Sequence, residues 1–426
     1  MKRILCIAGV AVLALPAVLA VYREIIGRDI APADFSDLAL PAGEPVLPEE
    51  NAYTYFVKAA EALVLPDTIG TNELSRLQSY LRDNRTNLTV IAKVISDNEE
   101  LFRNVRQGVQ CRHCVFPEPT TENLSPFPIS GLVKINTLLH NKVSYEQASG
   151  NIDAALQDAH TLLRYGQLLR QTPSCAVALL VGLGLEGTGL ATIQQLARDT
   201  QLSVHHLKRL MDYANAVPPY DVSVQYAFKA EFQLELVSLG FIPIKEVKET
   251  LSGVPLILTS FRRNRFFLLH QTQLDLANNI RAIIPEVPKV YADMSGLDAL
   301  DEDPRFTIWN GLFGRNPIGE LVTATLTPAF GHILASRCSM DGNLSATRII
   351  IACQLFQRET GQRPQTLDGL VPDYLPSVPP DPFDGQPFRY KPDEGVIYFL
   401  GAGLKDFGGA AENPRKRGNV ILKIWE

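Results

Sequence analysis

The clearest candidate for chemistry is "CRHC", which places Cys111 and Cys114 two residues apart around Arg112 and His113. Zinc would need two further ligands at a workable spacing, and the chain has no second C-x-x-C to supply them. A redox pair would need Cys111 at a helix start with its thiolate stabilised, but "VFPEPTTENLSPFP" follows and reads as loop. The expectation is a local Cys111–Cys114 disulfide, free thiols, or pairing with Cys175, Cys338 or Cys353. "GLGLEG" at Gly182 to Gly187 fits the dinucleotide fingerprint in letters, yet it lacks the preceding strand and the following acid-tipped strand. Small residues that let two helices approach closely account for it.

Other polar clusters have simpler readings. Asp298, Asp301, Glu302 and Asp303 form an acidic loop, with nothing to fix a carboxylate separation for acid–base work. His205 and His206 lie in a helical pattern beside Lys208 and Arg209, where surface or capping roles suffice. Arg262, Arg263 and Arg265 make a polar face beside Phe266 and Phe267. A nucleophile elbow, H-E-x-x-H and a P-loop are all missing from the sequence. The formal net charge of −6 argues against nucleic acid as a partner.

Most of the elements that must position these residues are helical. The chain has 426 residues, 46% of them hydrophobic, enough for a sizeable core. Met1, Lys2 and Arg3 precede the uncharged run Ile4 to Val21, so residues 1–27 read as a signal anchor or a cleaved signal peptide ending near Ala20. Either way the bulk would be exported to the periplasmic side, held in the inner membrane through residues 4–21 if the segment is kept and released into the periplasm if it is cleaved. Prolines 32, 41, 45 and 48 make residues 28–50 an extended linker whose apolar residues can dock on the domain beyond.

Residues 51–340 carry helical periodicity. Helices are expected at Asn51–Leu63, Glu73–Arg82, Thr86–Val105, Cys175–Arg198, Val204–Ala216, Val222–Leu239 and Arg263–Ile284. A hairpin is expected over Leu132–Thr172, turning at Gly150 with Asn151 as the next cap. A further helix is interrupted at Pro328. The run Cys175 to Leu185 is strongly apolar, but Glu186 ends it, so it is read as a buried central helix. No repeat period is present, which favours an irregular bundle or solenoid.

Residues 341–426 change character. Ser345 to Gly361 is an amphipathic helix with Ser345 at its cap, and Thr366 caps a short turn at Leu367 to Leu370. "PFRY", "VIYFL" and "NVILKIW" are strand-like runs separated by turn residues. The fold class expected is therefore mainly α, with a small C-terminal α+β module of one helix on a three-stranded antiparallel sheet.

Gly361, Pro364 and Leu367, the run Tyr374 to Tyr390, and "FLGAGLKDFGG" at Phe399 to Gly409 follow one another in an order that resembles the globular part of type II secretion pseudopilins, the G-type in particular. The chain departs from that family in lacking a prepilin-peptidase site before its N-terminal helix, so a filament subunit is not expected. The whole chain is similar to uncharacterised bacterial envelope proteins that place such a tail after a long helical region. The pseudopilin resemblance implies a calcium site, for which the matching positions are Asp381, Asp384 and Asp406; as plain residues, Asp381 and Asp384 also serve tight turns.

Taken together, the sequence favours a non-enzymatic, membrane-anchored envelope protein. Its role would be protein–protein interaction or scaffolding, with a link to a secretion or pilus-like system implied by the resemblance. Its partners would be other envelope proteins. A hydrolase-type enzyme with a dispersed site in the helical domain and a thiol redox protein using Cys111 and Cys114 stay open as alternatives.

Overall fold

The computed structural model describes residues 21–22, 24–41, 45–66, 74–117, 129–241, 267–295, 314–326, 328–409 and 418–425. The membrane segment 4–20, the acids 298–303 and the arginines 262, 263 and 265 lie outside them. The chain is mainly helical, with a small three-stranded antiparallel sheet near the C-terminus. It divides into two compact units, one holding Pro41–Ala227, Pro288–Met294 and Ile333–Glu426, the other Met1–Leu40, Phe228–Val287 and Ser295–His332.

The larger unit begins with α1 (Ala52–Glu61), α2 (Leu74–Asp83), α3 (Leu88–Asp97) and α4 (Glu99–Gly108). Asn51 caps α1 by accepting from the Tyr53 N–H, and Asn87 caps α3 by accepting from Val90. The single helix expected over Thr86–Val105 is in fact two. Asn98 separates them, wholly buried, and its amide accepts from the Val64 N–H at 2.9 Å while donating to the Val64 and Val94 carbonyls. A buried amide with that many partners outweighs the local helical preference.

Next come α5 (Ile129–Ala148), α6 (Ile152–Gln171), α7 (Ala176–Ala197) and α8 (Val204–Asn215). The α5–α6 turn is made by Gly150 at φ +79°, as its position suggested. Asn151 does not cap α6; its side chain donates to Glu146 instead. Helix α8 starts with a capping box in which Ser203 and His206 bond each other's backbones, the capping role read for His206. Phe56, Phe102, Leu132, Ile135, Tyr165 and Leu169 close the core among α1, α4, α5 and α6. At Gly182 an added Cβ would lie 2.6 Å from the backbone nitrogen of Arg170, so this one of the three "GLGLEG" glycines serves a close α6–α7 approach, while Gly184 faces open space. Among the described residues α7 is the one helix long and apolar enough to cross a membrane, and 61% of its apolar window is buried within the fold.

Helices α9 (Asp221–Phe241), α10 (Leu269–Ile283), α11 (Pro317–Leu326) and α12 (Pro328–Thr360) follow. Pro328 opens α12, where its missing N–H costs nothing. Helix α12 runs unbroken through Ser345, so Ser345 caps nothing and the 340/341 boundary falls inside one helix. Gly361 at φ +73° ends it. Strands β1 (Arg389–Lys391), β2 (Val396–Phe399) and β3 (Val420–Lys423) pair in that order, with Tyr390 opposite Ile397 and Ile397 opposite Leu422. Gln354 of α12 donates to the Ile424 carbonyl at 2.8 Å, and Gly342 leaves room for the Phe399 ring. The module thus shares its helix and its compact unit with the helical body.

In the smaller unit the proline-rich segment is docked. Leu38 is buried, Phe35 stands edge-on to Phe232 at 5.2 Å, and Arg281 bonds both Asp37 carboxylate oxygens. Asp29 accepts from the His270 and Gln271 N–H groups at the start of α10. Asn316 holds α10 to α11 through Leu268 and Thr272.

Candidate functional site

Helices α5 and α7 leave a cleft of about 750 Å³ in the larger unit, flanked by the end of α2 and the turn into α3. Its polar wall is one stripe of α5. Asn136, His140 and Ser144 recur every fourth residue, with Thr137 and Asn141 beside them, so all five share a helical face. From α7 come Val181, Gly184, Leu185, Thr188 and Gln195; from the α2–α3 corner come Arg82 and Arg85. Among the described residues, no carboxylate and no thiol lines it.

His140 is held by a relay that sets its tautomer. The Thr192 hydroxyl donates to the Thr188 carbonyl at 2.7 Å, which spends its only proton. With that proton directed to the Thr188 carbonyl, the tautomer consistent with the 2.8 Å contact between His140 Nδ1 and Thr192 Oγ1 carries its proton on Nδ1 and leaves Nε2 as an acceptor. Burial pushes the imidazole pKa down, which keeps the ring neutral near pH 7. Asn136 is 5% exposed, and its Oδ1 has no hydrogen-bond partner. A buried amide oxygen left unpaired costs about 1–3 kcal/mol.

Behind this cleft lies a fully buried ion pair. Arg170 Nε donates to Glu186 at 2.6 Å, and both side chains have zero exposure. Arg170 also donates to Ser223 Oγ and to the Pro218 and Pro219 carbonyls, while the Tyr220 hydroxyl donates to Glu186. Burial pushes the Glu186 carboxyl up, and Arg170 and Tyr220 pull it back. This pair ties α6 and α7 to the start of α9. Arg337 serves two acids, Asp221 at 2.8 Å and Asp341 at 3.0 Å, and burial raises Asp341 to about 6.

The three aspartates expected to bind calcium do converge, but on a guanidinium. Arg389 reaches Asp381 and Asp384 at 2.5 Å each and Asp406 at 3.2 Å. Asp381 has no exposure and also accepts from the Phe383 and Leu400 N–H groups, so it braces the turn before β1 and the end of β2. No group of three or more His, Cys, Asp or Glu among the described residues is arranged to hold a metal ion.

Cys111 and Cys114 are free thiols, as are Cys175, Cys338 and Cys353. Burial raises the Cys114 thiol to about 12 and also raises Cys111, the opposite of what a reactive thiolate needs. The segment instead joins distant parts of the chain. Asn51 bonds the Val115 backbone, and Thr172 donates to the Cys114 carbonyl.

The cleft residues were not singled out from the sequence. The signal present was the polar stripe in "INTLLHNKVS", a second face on a helix whose Leu138, Leu139 and Val143 are core residues. Arg82 and Arg85 reach the cleft only through the fold. No family model matches the chain, and no curated protein or solved structure is similar to it.

Proposed function

We propose that this chain is a non-enzymatic envelope protein, anchored in the inner membrane through residues 4–21 with its bulk exported, whose helical body binds a small polar ligand. The observation that carries this reading is the cleft between α5 and α7. Its walls hold one titratable group near neutrality, His140, and that ring is fixed by Thr192 rather than paired with an acid. Such a wall orients and holds a ligand; it has no second group with which to pass protons to and fro. The C-terminal module, resembling a pseudopilin globular domain, acts as a stabilising or docking unit built onto α12.

Gly184 offers a clean test. It lines the cleft, and a Cβ added there meets nothing within 4 Å, so Gly184→Phe starts its side chain in open space and should occupy the cleft. Native mass spectrometry of full-length protein taken from membranes should show a bound small molecule on the wild type that the Gly184→Phe variant lacks. Identical masses for the two would count against the binding reading.

A further inference from the structure

The hydrogen-bond bookkeeping of the cleft identifies the chemistry of its ligand. Each hydroxyl that α5 and α7 contribute has one proton, and each spends it on its own helix. Thr137 donates to the Val133 carbonyl at 2.9 Å, Ser144 to His140 at 3.3 Å and Thr188 to Gly184 at 3.1 Å. What remains on those oxygens is lone pairs. His140 Nε2 is likewise an acceptor, because Nδ1 carries the proton. The hydroxyls of α5 and α7 therefore present acceptors, while the amide N–H groups of Gln78, Asn136, Asn141 and Gln195 are donors. The complement of such a mixed wall is a ligand with several hydroxyls, each able to donate and accept.

Charge narrows the class further. Arg82 and Arg85 stand at the α2–α3 corner of the cleft, and among the described residues no carboxylate lines it to favour a cation. Arg82 is partly engaged, donating to Ser79 at 3.3 Å with Asp83 at 3.7 Å. Arg85 is exposed, and its side chain has no partner among the described residues. Val133, Val181 and Leu185 supply apolar surface in the same cleft. Such a surface suits the C–H face of a ring whose edge carries hydroxyls.

The geometry points to a hydroxyl-rich anion, a sugar acid or a phosphorylated sugar, bound with its hydroxyls on α5 and α7 and its anionic group at Arg82 and Arg85. This rests on the cleft being a binding site and adds what it binds. The cleft volume of about 750 Å³ is ample for one or two sugar rings.

The test is titration calorimetry on the full-length chain in a detergent without a sugar headgroup, at fixed ionic strength. Four probes are used: glucuronate, glucose 6-phosphate, glucose and inorganic phosphate. At least one of the two anionic sugars should bind at least about tenfold more tightly than glucose and than phosphate, a difference of ~1.4 kcal/mol. The stronger of the two tells a carboxylate from a phosphate ligand. Arg85→Gln should weaken the anionic sugars about fivefold or more and leave glucose unchanged, since it removes one exposed charge and no packing. His140→Gln should weaken sugar and anionic sugar alike, and Gly184→Phe should abolish both.

The inference is overturned if none of the probes binds at millimolar concentration, if phosphate binds as tightly as glucose 6-phosphate, or if glucose matches the acids. Binding that survives Gly184→Phe overturns it too. A wild-type mass excess that the Gly184→Phe variant lacks, together with no probe binding, would reject this ligand class while leaving the cleft as a binding site.

Discussion

The buried Arg170–Glu186 pair allows a quantitative prediction. At an effective dielectric near 20, unit charges about 4 Å apart attract by about 4 kcal/mol. Each ion loses several kcal/mol of hydration on burial, so the pair nets close to zero against an apolar replacement. Breaking it is another matter. Glu186→Leu leaves the Arg170 charge without its counter-ion and should cost about 3–5 kcal/mol. Arg170→Met should cost more, about 5–8 kcal/mol, because the Pro218 and Pro219 carbonyls also lose a donor. The double variant removes both charges and leaves only the stranded carbonyls and the Tyr220 hydroxyl, for about 2–5 kcal/mol. The coupling between the two sites should then be about 3 kcal/mol or larger. Urea unfolding of the full chain in micelles, followed by far-UV circular dichroism, supplies the four stabilities. If the single costs add to within about 0.5 kcal/mol, the pair is not coupled and the reasoning fails.

Two glycines of α7 should respond in opposite directions. Gly184→Ala should stabilise by up to about 1 kcal/mol through helix propensity alone, whereas Gly182→Ala, pressed on the Arg170 backbone, should destabilise; thermal melts of the two variants decide it. Asp341, raised to about 6, binds its proton more tightly folded than unfolded. Its contribution is therefore fully present below about pH 4 and lost as pH rises through about 6, by ~3 kcal/mol, and Asp341→Asn should flatten that part of the stability–pH curve. Arg389→Gln should cost about 2–4 kcal/mol, since it leaves the unexposed Asp381 without its cation. Millimolar calcium should raise the melting temperature of that variant more than that of the wild type; equal shifts would mean the three aspartates do not form an oxygen set once the guanidinium is gone.

Local interactions were legible in the sequence. The α5–α6 turn was readable because Gly150 alone tolerates its positive φ, and the strands because "VIYFL" and "NVILKIW" have no helical period. Gly182 of "GLGLEG" was readable as a helix contact because the flanking residues could not form the strand a nucleotide site requires. What the sequence left undetermined involved partners far along the chain. Asn98 breaks a helix because it finds the backbone of Val64, and Ser345 caps nothing because α12 begins at Pro328. Asp381, Asp384 and Asp406 were placed together by resemblance, but that Arg389 stands among them is a matter of strand register. The cleft is the extreme case. Its stripe on α5 was visible as polar residues at helical spacing, yet such a stripe equally describes a solvated face. Only the packing of α7 and the α2–α3 corner around it turns that face into a cavity and brings two arginines to it. Periodicity encodes which face of a helix is polar; what that face meets depends on contacts that no local pattern contains.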